Sequence, residues 1–212
     1  NSSMLFGPNN TSKLLQNQIL TRDGALLNTN GVKNYIRNGA AELGQTTGWV
    51  VSKNTSATAA PDSGFVTTGT SNTIAASSTS PLRDNYSFVM TLAALGNQYY
   101  YDFTIDAADK GKVLQGVVEY GISSGTFADD SLAVWIYDVT NAVFIQPAPY
   151  LFKNHTLTSD KLPFEFQTSS SSTSYRLVLH QAAASTAVLK VDGIFVGPAA
   201  KLYGSQITDW VS

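Results

Sequence analysis

Trp135 and Tyr137 stand two residues apart in "SLAVWIYDV", residues 131–139, and Leu132, Val134 and Ile136 fill the alternate positions. On an extended chain this spacing puts the two aromatics on one face and the aliphatics on the other. The aliphatic face reads as core. The aromatic face offers flat rings with polar tips, the groups that stack on the C–H faces of sugars while amides and carboxylates take the hydroxyls. Gln115 and Glu119 share a face in "VLQGVVEYGI", and Arg176 and His180 share one in "SYRLVLHQ". If those strands neighbour the Trp135 strand, then Trp135, Tyr137, Glu119, Gln115, Arg176 and His180 form one polar-aromatic surface suited to a glycan. The competing reading is packing, with Trp135 covered by a loop or by the N-terminal segment. In "YYYDF", Tyr99, Tyr101 and Phe103 fall on a core-facing side and Tyr100 with Asp102 on the other.

Other chemistries find little to work with. The chain has two histidines, His155 and His180, and neither lies near a nucleophile, zinc-protease or phosphate-loop motif. A carboxylate pair for glycoside hydrolysis drawn from Glu42, Glu119 and Glu165 would be arbitrary. The expectation is a protein that is not an enzyme. A net charge of −2 without a basic cluster gives counterion release little to act on, so nucleic acid is set aside. There are no cysteines, hence no disulfides and no thiolate ligands. No apolar run approaches the ~18 residues of a membrane span, and no membrane insertion is expected.

The elements that must carry these residues are strands. Charged residues are 13% of the chain, against roughly 25% in an average globular protein. Ser, Thr, Asn and Gln take their place, as on β-rich surfaces. From Tyr35 onward, about a dozen short period-two runs alternate with turn signals, "YIR", "GWVVS", "GFVTTG", "YSFVMTLA", "AVFIQ" and "LPFEFQT" among them. The pattern predicts an all-β, antiparallel two-sheet β-sandwich of jelly-roll type. Residues 1–33 show no such alternation and read as an extended arm, in which Leu14, Leu15, Gln18 and Ile19 are spaced like one helical turn. The sandwich is expected over 34–198. Residues 199–212 read as a linker or assembly segment carrying Tyr203, Ile207 and Trp210.

Two distant segments then read together. "NYIRNGAAELGQTTGW", residues 34–49, resembles the opening strand of carbohydrate-binding-module-like jelly rolls: an apolar pair, Asn-Gly, an acid, then Gly-Trp. "LKVDGIFVGP", residues 189–198, resembles their closing strand. The tail "KLYGSQITDWVS" resembles segments that follow this strand in bacteriophage tail-fibre, head-fibre and decoration proteins of the virion.

The resemblance implies a structural Ca²⁺ where the two strands meet, held by hard oxygens from Glu42 and Asp192. It also implies a virion structural protein, found in the extracellular particle, that assembles through its termini as a homo-oligomer, with a trimer favoured. Its partners would be other virion proteins and a host glycan. The alternative is a secreted protein, the carbohydrate-binding module of a polysaccharide-degrading enzyme.

Overall fold

The computed structural model describes residues 33–145 and 149–198, together with the backbone of two three-residue strands nearer the N-terminus. Those two, β1 (Gln18–Leu20) and β2 (Leu26–Asn28), pair antiparallel with Ile19 opposite Leu27. Gln18 and Ile19 thus belong to a hairpin, where sequence spacing predicts a helical turn. Leu14, Leu15, Tyr203, Ile207 and Trp210 lie outside the described residues. The chain divides into one compact unit of Asn34–Gly197 and another formed by Asn1–Lys33 with Pro198–Ser212.

Within Asn34–Gly197 the alternating runs become two antiparallel sheets, and no α-helix occurs among the described residues. The front sheet runs β10 (Tyr150–Leu151), β8 (Leu132–Asp138), β12 (Ser174–Gln181), β6 (Asn97–Thr104), β3 (Trp49–Lys53), with β9 (Val143–Phe144) paired to β8. The back sheet runs β11 (Asp160–Gln167), β7 (Val113–Ser124), β13 (Val188–Pro198), β5 (Ser87–Thr91), β4 (Thr73–Ser77). Each sheet interleaves early and late strands, as a jelly roll requires.

The inner faces supply the core. Tyr99, Leu177 and Val134 of the front sheet and Phe88, Leu114 and Val191 of the back sheet are fully buried. Each such side chain contributes roughly 1.5–3 kcal/mol of burial free energy. Trp49 packs there too, its ring 5.6 Å from Phe88 and 5.4 Å from Tyr101.

The opening stretch is not a strand. From 34 to 48 the backbone runs through turns beside β13, held by Tyr35 N–H to the Val196 carbonyl at 2.8 Å and Ile194 N–H to the Gly39 carbonyl at 2.9 Å. Asn34 adds two bonds: its amide donates to the Ile194 carbonyl at 2.9 Å and its oxygen accepts from Val196 N–H at 3.0 Å. The approach is close at Gly39, where a Cβ would stand 2.1 Å from the Ile194 carbonyl oxygen. β13 itself changes phase midway. Leu189 and Val191 are buried, then Ile194 and Val196, so one residue has slipped between them. Gly193, at φ +53°, absorbs that slip as a bulge. The bulge sits beside Asp192 and sets where that carboxylate lies.

Candidate functional site

The register of the front sheet places three rows of side chains on its outer face. Tyr137 lies opposite Arg176, and Arg176 opposite Asp102. Trp135 lies opposite Val178, and Val178 opposite Tyr100. Ala133, His180, Gln98 and Ser52 form the third row across β8, β12, β6 and β3.

The first two rows are aromatic and ionic. Trp135 and Phe144 meet edge to face at 5.7 Å and both stay partly exposed. Phe65, from the loop after β3, stands 5.1 Å from Tyr137 and 5.5 Å from Tyr100. The Arg176 guanidinium lies 4.2 Å from the centre of Phe65 and 3.7 Å from that of Tyr100. It also grips Asp102 with two bonds, Nε to Oδ1 at 2.6 Å and Nη2 to Oδ2 at 2.9 Å. Asp102, with 56% of its side chain exposed, offers its remaining lone pairs to solvent in an orientation fixed by Arg176.

The third row is polar and sealed. Ser52, Gln98 and His180 are all fully buried. The loop over residues 54–66 covers them, through Gln98 Nε2 to the Gly64 carbonyl at 3.1 Å and a His180 ring nitrogen 3.0 Å from the Thr58 carbonyl oxygen. Yet Ser52 Oγ, Gln98 Oε1 and His180 Nδ1 have no hydrogen-bond partner, and neither does Trp135 Nε1 on the next row. Four of the eight such buried atoms among the described residues therefore fall on this one face. An unmade bond of this kind costs about 1–3 kcal/mol.

A second polar cluster lies on the back sheet. Asp192 is fully buried. It accepts from the Ser87 hydroxyl at 2.8 Å and from Gly193 N–H at 2.7 Å. Burial pushes its carboxyl above the usual range; bonds from Ser87 and the backbone amides of Gly193 and Arg83 oppose this, and the Glu42 charge adds to it. Glu42 Oε2 accepts from Asn85, while Glu42 Oε1 is buried without a partner. Glu119 is buried nearby, paired with Arg83 and accepting from the Ser159 hydroxyl at 2.9 Å.

Comparison with solved structures bears on the architecture. The chain resembles a family 22 carbohydrate-binding module of Clostridium thermocellum Xyn10B, with a TM-score of 0.55 and 12% identity over 79% of this chain and 96% of that one. The fold is a carbohydrate-binding-module-like jelly roll. TmCBM61, solved with β-1,4-galactotriose, aligns with a TM-score of 0.51 and 10% identity over 79% of this chain and 99% of its own. The enzymatically active domain of tailspike protein 4 of bacteriophage CBA120 aligns with a TM-score of 0.51 and 14% identity over 77% of this chain, which spans 21% of that one. At these identities the likeness is one of fold. No protein-family model and no curated protein matches the chain.

Of the six residues expected to form one surface, the structure brings four together: Trp135, Tyr137, Arg176 and His180. Gln115 and Glu119 are elsewhere. Their strand, β7, pairs with β11 and β13 in the back sheet and not with β8. Gln115 faces solvent opposite Glu165, and Glu119 is consumed by Arg83. The expected exposure also needs correction, since His180 is fully buried and Tyr137 is 8% exposed beneath Phe65 and Phe144. Sequence reasoning missed Ser52, Gln98, Phe65 and Phe144. The alternation of Gln98, Tyr100 and Asp102 in β6 carries a signal. Phe65 gives none, because "GFVTTG" reads as a strand and is a loop joined to β3 by one isolated bridge, Lys53 with Val66.

Burial lowers the His180 pKa below 6.5, although the carbonyls of Thr58 and Ala59 and the charge of Asp62 favour its protonated form. Between that lowered value and 6.5 the unfolded chain binds a proton that the folded one does not, so stability falls as pH drops through this window. The melting temperature is accordingly expected to decline from pH 7.5 to 5.0. In His180→Asn that decline should be measurably shallower by calorimetry.

Proposed function

We propose that this chain is a non-catalytic module that binds a glycan along the outer face of its front sheet. The observation that carries this reading is the partly exposed Trp135–Phe144 pair beside the Arg176-oriented Asp102 carboxylate, a stacking surface next to a fixed hydroxyl acceptor. The sugar-binding names of the solved modules that share the fold support it. Affinity electrophoresis in gels containing xylan, galactan or hydroxyethylcellulose tests it. The wild type is expected to be retarded in at least one gel, and Trp135→Ala to lose at least tenfold in affinity, about 1.4 kcal/mol. Equal retardation of the two proteins would refute the placement.

We further place the module in a bacteriophage particle, as a tail-fibre, receptor-binding or decoration component that assembles through residues 1–33 and 199–212. The closing "TDW" segment, the low charge and the tailspike domain of similar fold support this placement. The xylan-binding modules of similar fold favour the second reading, a module of a secreted polysaccharide-degrading enzyme. Deleting residues 1–33 separates the two, since loss of incorporation into particles belongs to the first alone.

Glu42 and Asp192 fit a structural Ca²⁺. Glu42 Oε1 is buried without a partner, and the Asp192 carboxyl, raised first by burial and further by the Glu42 charge, supplies a second hard oxygen of the kind Ca²⁺ takes. No group of three or more His, Cys, Asp or Glu side chains stands ready for a metal among the described residues, so carbonyl oxygens and water would complete the shell. Because Asp192 is raised, its ionised form costs stability above its folded pKa, and that cost is relieved as pH falls. A bound divalent cation would offset the same cost at neutral pH. Millimolar Ca²⁺ is therefore expected to raise the melting temperature over an EDTA-treated sample by several degrees, and Glu42→Gln to abolish the increment.

A further inference from the structure

We infer that the loop over residues 54–66 is a lid, and that opening it exposes Ser52, Gln98 and His180 as a polar subsite for the hydroxyls of a pyranose chain running on from Trp135. The inference rests on the glycan reading of this face and extends it to the covered row.

The covered row is built like a site. Gln98 lies opposite His180 on one side and opposite Ser52 on the other, so the three cross adjacent strands in a line. At a strand separation of about 4.8 Å, the line spans roughly 10 Å, on the scale of a disaccharide. Each member keeps one polar atom unpartnered while fully buried: an acceptor on Gln98, a hydroxyl on Ser52 and a ring nitrogen on His180. Buried polar atoms find partners in nearly all folded proteins. Three in one line without any mark a surface shaped for something other than its present cover. Sugar hydroxyls donate and accept, and so suit an acceptor, a hydroxyl and an imidazole nitrogen together.

The cover is built to move as one piece. Asn54 Nδ2 donates to Thr58 Oγ1 at 3.1 Å and to the Ala60 carbonyl at 3.2 Å. Asp62 collects the backbone N–H groups of Thr55 and Ser56 at 3.3 Å each and that of Gly64 at 2.8 Å. Against these internal bonds, the tip is fastened to the row by the Gln98 and His180 bonds and by the Phe65 ring. Its base is fastened by Asn54 N–H to the Gly96 carbonyl at 2.8 Å, where the loop leaves β3, and at its other end by the isolated bridge, in which Lys53 and Val66 exchange both backbone bonds at 2.8 and 2.9 Å. Opening breaks that bridge and leaves the fold of the loop intact.

The bridge also supplies the test. A hydrogen-bonded antiparallel pair holds its Cα atoms about 5.5 Å apart, within the range a disulfide spans, and the chain has no other cysteine. The variant Lys53→Cys/Val66→Cys, oxidised, should keep or raise the melting temperature and hold the lid shut. Carbethoxylation of His180 by diethyl pyrocarbonate, read by peptide mass spectrometry, is expected to run at least tenfold slower in the oxidised variant than in the wild type. Retardation in xylan, galactan or hydroxyethylcellulose gels is expected to fall with it. Equal modification rates would overturn the lid. A lower rate with unchanged retardation would overturn the subsite and leave the aromatic platform as the whole site. Retardation of neither protein would overturn the glycan reading itself, while the modification rates still decide the lid.

Discussion

Replacing Gly39 with alanine is expected to lower the melting temperature of the module by roughly 4–16 °C. The added methyl would stand 2.1 Å from the Ile194 carbonyl oxygen, a backbone atom that no rotamer change can move aside. Relief requires the opening stretch to lift from β13, which stretches the Ile194 N–H bond to the Gly39 carbonyl, now 2.9 Å. Overpacking of this kind costs about 1–3 kcal/mol and a lost backbone bond about 1 kcal/mol. For a domain of 150–250 residues each kcal/mol moves the midpoint about 2–4 °C. The same lift displaces Glu42, three residues on, so any stabilisation by Ca²⁺ should disappear in this variant as well. Calorimetry with and without Ca²⁺ reads both effects; an unchanged midpoint would mean the close approach carries no weight.

Arg176→Ala should damage stability and binding together. The guanidinium makes two charge-assisted bonds to Asp102 and lies against the Phe65 and Tyr100 rings. With 14% of its side chain exposed it is screened little, whereas Asp102, at 56%, can rehydrate once released. The balance is a loss of about 2 kcal/mol, or roughly 4–8 °C in midpoint. Arg176→Lys should recover less than half of it, because an ammonium is a point charge that cannot span both carboxylate oxygens or stack as a plane. Glycan affinity is expected to fall at least tenfold in both variants, since Asp102 loses its fixed orientation. Full affinity in Arg176→Lys would show that charge alone suffices.

The sandwich was legible because strands alternate with period two. Leu132, Val134 and Ile136 declare an inner face without any knowledge of neighbours, and Tyr99, Tyr101 and Phe103 do the same. Which strands sit side by side was not legible. Gln115 and Glu119 have suitable side chains on the outer face of their own strand, but a jelly roll interleaves early and late strands, and nothing local to "VLQGVVEYGI" reports that β7 enters the sheet opposite Trp135. Cover was equally hidden. His180 reads as an outward residue and is one, yet a loop far off in sequence closes over it through the Thr58 carbonyl. The opening stretch failed as a strand because its partner, β13, holds it by a few bonds around Asn34 and Gly39 and not by a ladder. Glu42 and Asp192 were singled out from family likeness, and it is the fold, through the Gly193 bulge, that puts them within electrostatic reach of each other.

The bonds between Asn34 and the Ile194–Val196 segment carry a mechanical meaning. They bring the point where the chain enters the sandwich and the point where it leaves to within one strand spacing of each other, about 4.8 Å. A sandwich tethered in this way can be spliced into a surface loop of another protein without prising that loop apart. A pull applied to both tethers would load first the few bonds around Asn34 and Gly39, so the seam would unzip one bond at a time before tension reached the β-ladders that shape the outer face of the front sheet.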